Sequence, residues 1–119
     1  MTASAILVIA VGGAIGAALR SIVERWVALR YHGALPAGLF LVNVLGSAIA
    51  GVVVGGTSGP LRLFLLVGVC GALTTYSGFG AAVHRLWSSD RRAAWITILG
   101  MPTLCIAVAA LGFVLVGSV

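Results

Sequence analysis

Four stretches of this chain, roughly 4–23, 37–56, 61–86 and 93–117, run for twenty residues or more with few charges. At about 1.5 Å of helical rise per residue, each is long enough to cross a hydrocarbon core of about 30 Å. Backbone polar groups in lipid must be satisfied within the structure, so an apolar run of this length crosses as a helix. The expected fold is an all-α membrane protein, a single four-helix transmembrane domain over residues 1–119. Composition agrees: 61% of residues are hydrophobic and 8% charged, and the mean hydropathy is +1.23, a profile that excludes an ordinary water-soluble domain.

The spans consume nearly the whole 119 residues and leave no stretch for a soluble catalytic domain. No nucleophile–base pair, carboxylate dyad or metal-ligand cluster is visible, so an enzyme is not expected. The first run lacks a basic flank and a small-residue cleavage site, and is read as a retained span. Cys70 and Cys105 fall inside apolar runs without a CxxC or a histidine at ligand spacing, so both are read as packing residues.

The connections are short. RYHGALP (30–36) turns between the first two spans, and GTSGP (56–60) between the next two, with Pro60 suited to a first helical position. WSSDRR (87–92) offers Ser89 or Asp90 as an N-cap for the last helix. Trp26, Trp87 and Trp95 lie near span ends, as interfacial aromatics do. The charge is +5, from seven arginines against Glu24 and Asp90. With four spans, one face receives both termini and the 56–60 turn, whose only basic side chain is Arg62. The other face receives Arg25, Arg30, Arg85, Arg91 and Arg92, with Arg20 at the edge of the first span. By the positive-inside rule the arginine-rich turns are cytoplasmic and both termini outside.

Seventeen glycines punctuate the chain. Gly12 and Gly16 form a GxxxG, and Gly46 with Ala50 a similar small pair, spacings that let membrane helices approach closely. Asn43 shares a helical face with Gly46, Ser47, Ala50 and Val54. It serves either as interhelical glue or as an amide donor on a polar path. Arg20 lies one turn before Glu24. It is either a snorkelling arginine paired with that glutamate or a positive charge at a pore mouth. His32 and His84, near interfaces, receive no role.

Residues 68–80, GVCGALTTYSGFG, place two threonines, a serine and four glycines where the apolar run should be purest. A lone threonine can bond back to the preceding turn, but this density weakens the helix itself. A break at membrane depth is tolerated only where protein, water or an ion satisfies the freed backbone groups. Exposed carbonyls suit a hard cation such as Na⁺, whereas hydroxyl, amide and aromatic-edge hydrogens suit a small hard anion. A straight helix over 61–86 would measure about 39 Å, so a break also fits the length.

These residues resemble the CrcB/Fluc fluoride channel family. Three blocks carry the resemblance: GGAIGAALR at 12–20, GLFLVNVLGSAIAG at 38–51 and GVCGALTTYSGF at 68–79. The fourth span matches in hydrophobicity alone. The resemblance implies a passive, fluoride-specific channel that exports cytoplasmic fluoride across the bacterial inner membrane. It implies an antiparallel dimer of four-helix subunits, a third helix broken mid-membrane, two pores, and a structural Na⁺ at the dimer interface. Carried over by position, the fluoride path would include Asn43, Thr75, Tyr76, Ser77 and Phe79, with Arg20 closing the first block. The backbone carbonyls of Gly71 and Thr74 would hold the Na⁺.

The family pattern reads GG-x-TTFSTF, whereas this chain has Ala72, Tyr76 and Gly78 in place of its second glycine, first phenylalanine and last threonine. An antiparallel homodimer made by one chain needs nearly balanced arginines. The bias here points instead to a heterodimer with a paralogous subunit of opposite topology, the homodimer remaining the alternative. Two other readings stand beside the channel. A small multidrug-type cation exporter shares the size and layout, but needs an acidic group mid-span where this chain has none. A non-conducting assembly subunit would explain Tyr76 and Gly78.

Overall fold

A computed structural model describes all 119 residues. Helix α1 covers Ala3–Arg30 and α2 covers Ala37–Gly56. The third span begins with α3 (Gly59–Arg62), continues as a π-helical segment (Leu63–Cys70) and ends its first half with α4 (Gly71–Leu73). Its second half is α5 (Tyr76–Ser89), and α6 (Arg91–Gly117) completes the chain. Four spans, with Gly59–Ser89 as the third, are long and apolar enough to cross a membrane. The long axis of 46 Å is close to the thickness of a bilayer with its headgroups.

Three of the four spans run longer than the apolar runs suggested, while α2 keeps the expected 37–56. Helix α1 continues to Arg30 rather than residue 23, because Glu24, Arg25 and Arg30 are good helix formers that can leave the hydrocarbon without ending the helix. The third span starts at Gly59, with Pro60 in its first turn and Gly59 at a φ of 63°. Asp90, not Ser89, caps α6, its carboxylate accepting the Ala93 N–H at 3.0 Å.

Packing here inverts the soluble pattern. Large apolar side chains such as Ile6, Leu29, Leu99 and Ile106 face outward, while the interior is built on small residues. Gly12 and Gly16 of α1 meet the π segment backbone to backbone: a Cβ on Gly12 would sit 2.6 Å from the Phe64 carbonyl oxygen, and one on Gly16 would run into that of Val69. Gly51, Gly55 and Gly112 seat α2 against α6 in the same way, on the Ala109, Phe113 and Ala48 carbonyls. Two small apolar clusters hold α5 against its neighbours: Leu39 of α2 with Ala82 of α5 and Met101 of α6, and Leu86 of α5 with Ala93 and Ala94 of α6 near the connecting turn.

The third span departs from α geometry twice. Within the π segment hydrogen bonds reach back five residues, so that the Gly71 N–H reaches the Leu66 carbonyl as well as that of Gly68. At Thr74 and Thr75 the backbone is extended, with φ/ψ of −82°/155° and −148°/123°. The break expected from the sequence is therefore two residues long, and it divides Gly59–Leu73 from α5.

Candidate functional site

The break is held by one side chain. Asn43, buried in the middle of α2, accepts the Thr75 N–H on Oδ1 at 2.8 Å and donates from Nδ2 to the Thr75 carbonyl at 3.2 Å. This exchange supplies both backbone groups of an extended residue with partners, as a neighbouring strand would. It also fixes the amide, since only Oδ1 can accept the Thr75 N–H. The second Nδ2 hydrogen has the Met101 Sδ of α6 at 3.2 Å. Asn43 is 7% exposed and Met101 2%.

Around this staple the other hydroxyls are engaged locally. Thr75 Oγ1 caps α5 by accepting the Gly78 N–H at 3.1 Å and lies 3.2 Å from Ser77 Oγ. Thr74 Oγ1 donates to the Cys70 carbonyl at 2.8 Å, and the Thr74 N–H reaches the same oxygen at 3.0 Å. The Thr74 methyl fills the space where a Gly46 side chain would stand. In an unbroken helix the Gly71 carbonyl would receive the Thr75 N–H, and the Thr74 carbonyl the Gly78 N–H. Both N–H groups go elsewhere, to Asn43 Oδ1 and Thr75 Oγ1.

A cavity of about 300 Å³ opens beside the break. Asn43 and Ser47 of α2, Thr74 and Thr75 of the break, Tyr76 and Phe79 of α5, and Met101, Pro102 and Cys105 of α6 line it. The rings of Tyr76 and Phe79 lie 5.8 Å apart at 36°. Tyr76 is 85% exposed on the single chain.

Of the residues singled out from the sequence, Asn43, Thr74, Thr75, Tyr76 and Phe79 meet in this cavity. Ser77 stands next to it through its contact with Thr75. Gly71 lies at the chain's outer surface, one turn before the break. Arg20 is elsewhere, on α1, with its Nε 4.0 Å from Glu24 Oε1 and both side chains about 40% exposed. The α6 wall was not anticipated, because that span was read for hydrophobicity alone. A signal was present: Met101 and Cys105 are one turn apart around the only proline inside a long helix.

Comparison with known proteins gives this arrangement its context. Residues 7–115 match the family model described as CrcB-like protein, Camphor Resistance (CrcB). A fluoride-specific ion channel FluC of Chloroflexus aurantiacus is 39% identical over 101 residues, covering 80% of this chain and 78% of that protein. FluC of Aeromonas salmonicida is 37% identical over 121 residues, covering 94% and 95%. FluC of Methanococcus maripaludis is 42% identical over 79 residues, covering 62% and 63%. Matched along nearly its whole length, and carrying its polar break within an otherwise apolar bundle, this chain belongs to the CrcB/FluC family of multi-pass membrane proteins.

Proposed function

We propose that this chain is a subunit of a passive, fluoride-specific channel in a bacterial cell membrane, and that fluoride passes through the cavity at the break. The observation that carries this reading is the Asn43–Thr75 staple, which holds an extended segment open beside a cavity walled by α2, the third span and α6. Such a segment is tolerated in a membrane only where it is satisfied by protein or lines a path for polar species. The curated FluC relatives are fluoride-specific ion channels. The donors available here suit a small hard anion: the Asn43 amide, the hydroxyls of Thr75 and Ser77, and the weakly positive ring edges of Tyr76 and Phe79. Arg20 would attract anions at the mouth of the path. The electrical driving force is about 2.3 kcal/mol per 100 mV of negative-inside potential, so no coupled proton or ATP is required.

The same break supports a Na⁺ site. The carbonyl oxygens of Gly71 and Thr74, whose helical N–H partners are diverted to Asn43 and Thr75, are hard ligands of the kind a Na⁺ ion takes. Gly71 is exposed on the single chain, which fits a cation shared with a second subunit across an antiparallel interface. The arginine asymmetry favours a heterodimer, with this chain's termini outside and its arginine-rich turns in the cytoplasm.

Fluoride efflux from liposomes holding this chain alone, then together with its paralogous partner, tests the reading. Efflux that appears only with the partner supports the heterodimer, and equal labelling of this chain from both sides of the membrane when expressed alone contradicts it. Absence of efflux in both preparations refutes the channel.

A further inference from the structure

Asn43 raises a problem for an anion donor. Its Oδ1 and one Nδ2 hydrogen are committed to the Thr75 backbone, and the remaining hydrogen is directed at Met101 Sδ, 3.2 Å away. A buried N–H in lipid needs an acceptor, and α6 supplies a weak one, a thioether. The choice has a consequence. Exchanging a carbonyl acceptor for an anion would break a strong bond and unfasten the break, whereas exchanging a thioether for an anion costs little. Charge-assisted bonds are about twice as strong as neutral ones, so the exchange favours the anion.

We propose that Met101 is a positioning residue of the anion path: its sulfur holds the one free Asn43 N–H in place while the cavity is empty and yields it to an arriving anion. The inference rests on the fluoride-channel reading and extends it to α6. It places the anion on the α6 side of the Asn43 amide, between Met101, Pro102 and Cys105, which also line the cavity. The two N–H groups of Asn43 then have separate duties, one keeping Thr75 extended and the other meeting the ion. Met101 is suited to the exchange because an unbranched thioether can swing by rotamer changes within a packed wall, and it stands in the apolar cluster with Leu39 and Ala82 and with Phe79 against it.

Two substitutions separate acceptor strength from packing. Met101→Leu removes the acceptor and keeps the bulk; Met101→Gln keeps the length and presents a carbonyl oxygen, a strong acceptor that does not yield. In whichever assembly conducts, Met101→Gln is expected to carry fluoride at least about tenfold more slowly than Met101→Leu, the difference between a strong and an absent acceptor. Equal rates in the two variants, or a faster Gln variant, overturn the inference and leave the channel reading intact. A second measurement does not depend on flux. The chain has two methionines, so ¹³C-methyl labelling gives two signals, and the buried one should shift saturably on titration with sodium fluoride against a sodium gluconate control. If wild-type protein conducts no fluoride, the channel reading fails. If the Met101 methyl does not respond to fluoride beyond the gluconate control, the inference fails.

Discussion

The third span breaks α-helical geometry in two places, and the two are built on opposite principles. The π segment Leu63–Cys70 is wholly apolar in side chains and lies against α1. It is held by close approach, the Gly12 and Gly16 surfaces admitting the Phe64 and Val69 carbonyls. The break at Thr74 and Thr75, a few residues on, is held by polar exchange with Asn43. The first distorts the helix yet keeps its backbone bonded within the segment, and none of its residues lines the cavity beside the break. The second takes two residues out of the helix, and the cavity opens there. A membrane helix can thus be bent by removing side chains, but opening it requires a foreign partner for the backbone.

The sharpest way to break this comparison is to remove the polar partner. Asn43→Leu keeps the branched shape and the number of side-chain heavy atoms and strands the N–H and the carbonyl of Thr75, each at about 1–3 kcal/mol, so a loss of about 2–6 kcal/mol is expected with efflux abolished. Thermal unfolding in detergent, followed by tryptophan fluorescence, measures it; a variant that melts with the wild type would show that water, not Asn43, satisfies the break. The matching test on the π segment compares two neighbouring glycines. Gly16→Ala drives a Cβ into the Val69 carbonyl, whereas on Gly13 the nearest atom would be the Gly68 oxygen at 4.0 Å. The first is expected to cost about 1–3 kcal/mol, and the second to be neutral or stabilising by up to about 1 kcal/mol from helix propensity. Equal melting temperatures for the two would remove the close-approach account.

The same contrast explains what was legible in the sequence. Thr74, Thr75, Ser77 and the surrounding glycines announced the break because hydroxyls and glycines are anomalous in an apolar run, and Asn43 stood out for the same reason. LFLLVGVC announced nothing. Its π geometry follows from where Gly12 and Gly16 of another helix permit backbone to sit, and that is tertiary information. The four spans and the α2 boundaries were readable from hydropathy. The reach of α1 to Arg30 was not, since a hydropathy run stops at the membrane edge while the helix continues into the interface. Asn43 was readable as a polar residue but not as the staple of the break, because its partner is the backbone of Thr75, 32 positions away, and backbone carries no sequence signal. Met101, Pro102 and Cys105 escaped because one apolar residue reads like another until a cavity exists for it to line.

Within the break, Thr75 carries a second, smaller duty. Its Oγ1 caps α5 through the Gly78 N–H, so Thr75→Val should cost about 1 kcal/mol, the typical loss for an N-cap, while Thr75→Ser should retain the cap. If Thr75 also contributes a hydroxyl to the anion path, the Val variant loses flux beyond what its stability explains and the Ser variant recovers it. Melting temperature and efflux rate, measured on the same preparations, separate the two duties. Flux that tracks stability in both variants leaves Thr75 as a cap alone.

Arg20 offers the smallest effect and the finest distinction. Its contact with Glu24, at 4.0 Å and with both side chains about 40% exposed, is an i, i+4 surface pair, and such pairs contribute no more than about 0.5 kcal/mol. Arg20→Gln should therefore leave the melting temperature nearly unmoved. A positive charge that gathers anions at a channel mouth acts through a field, and fields are screened over about 10 Å at 0.1 M salt and about 30 Å at 0.01 M. The expected signature is a slower efflux in the Gln variant at low ionic strength that converges on the wild-type rate as an inert, non-permeant salt is raised. A deficit independent of salt would mean that Arg20 touches the ion, and no deficit at any salt would assign it to Glu24 alone. A deficit that salt removes would set the two sites apart, the break working by contact and Arg20 by position.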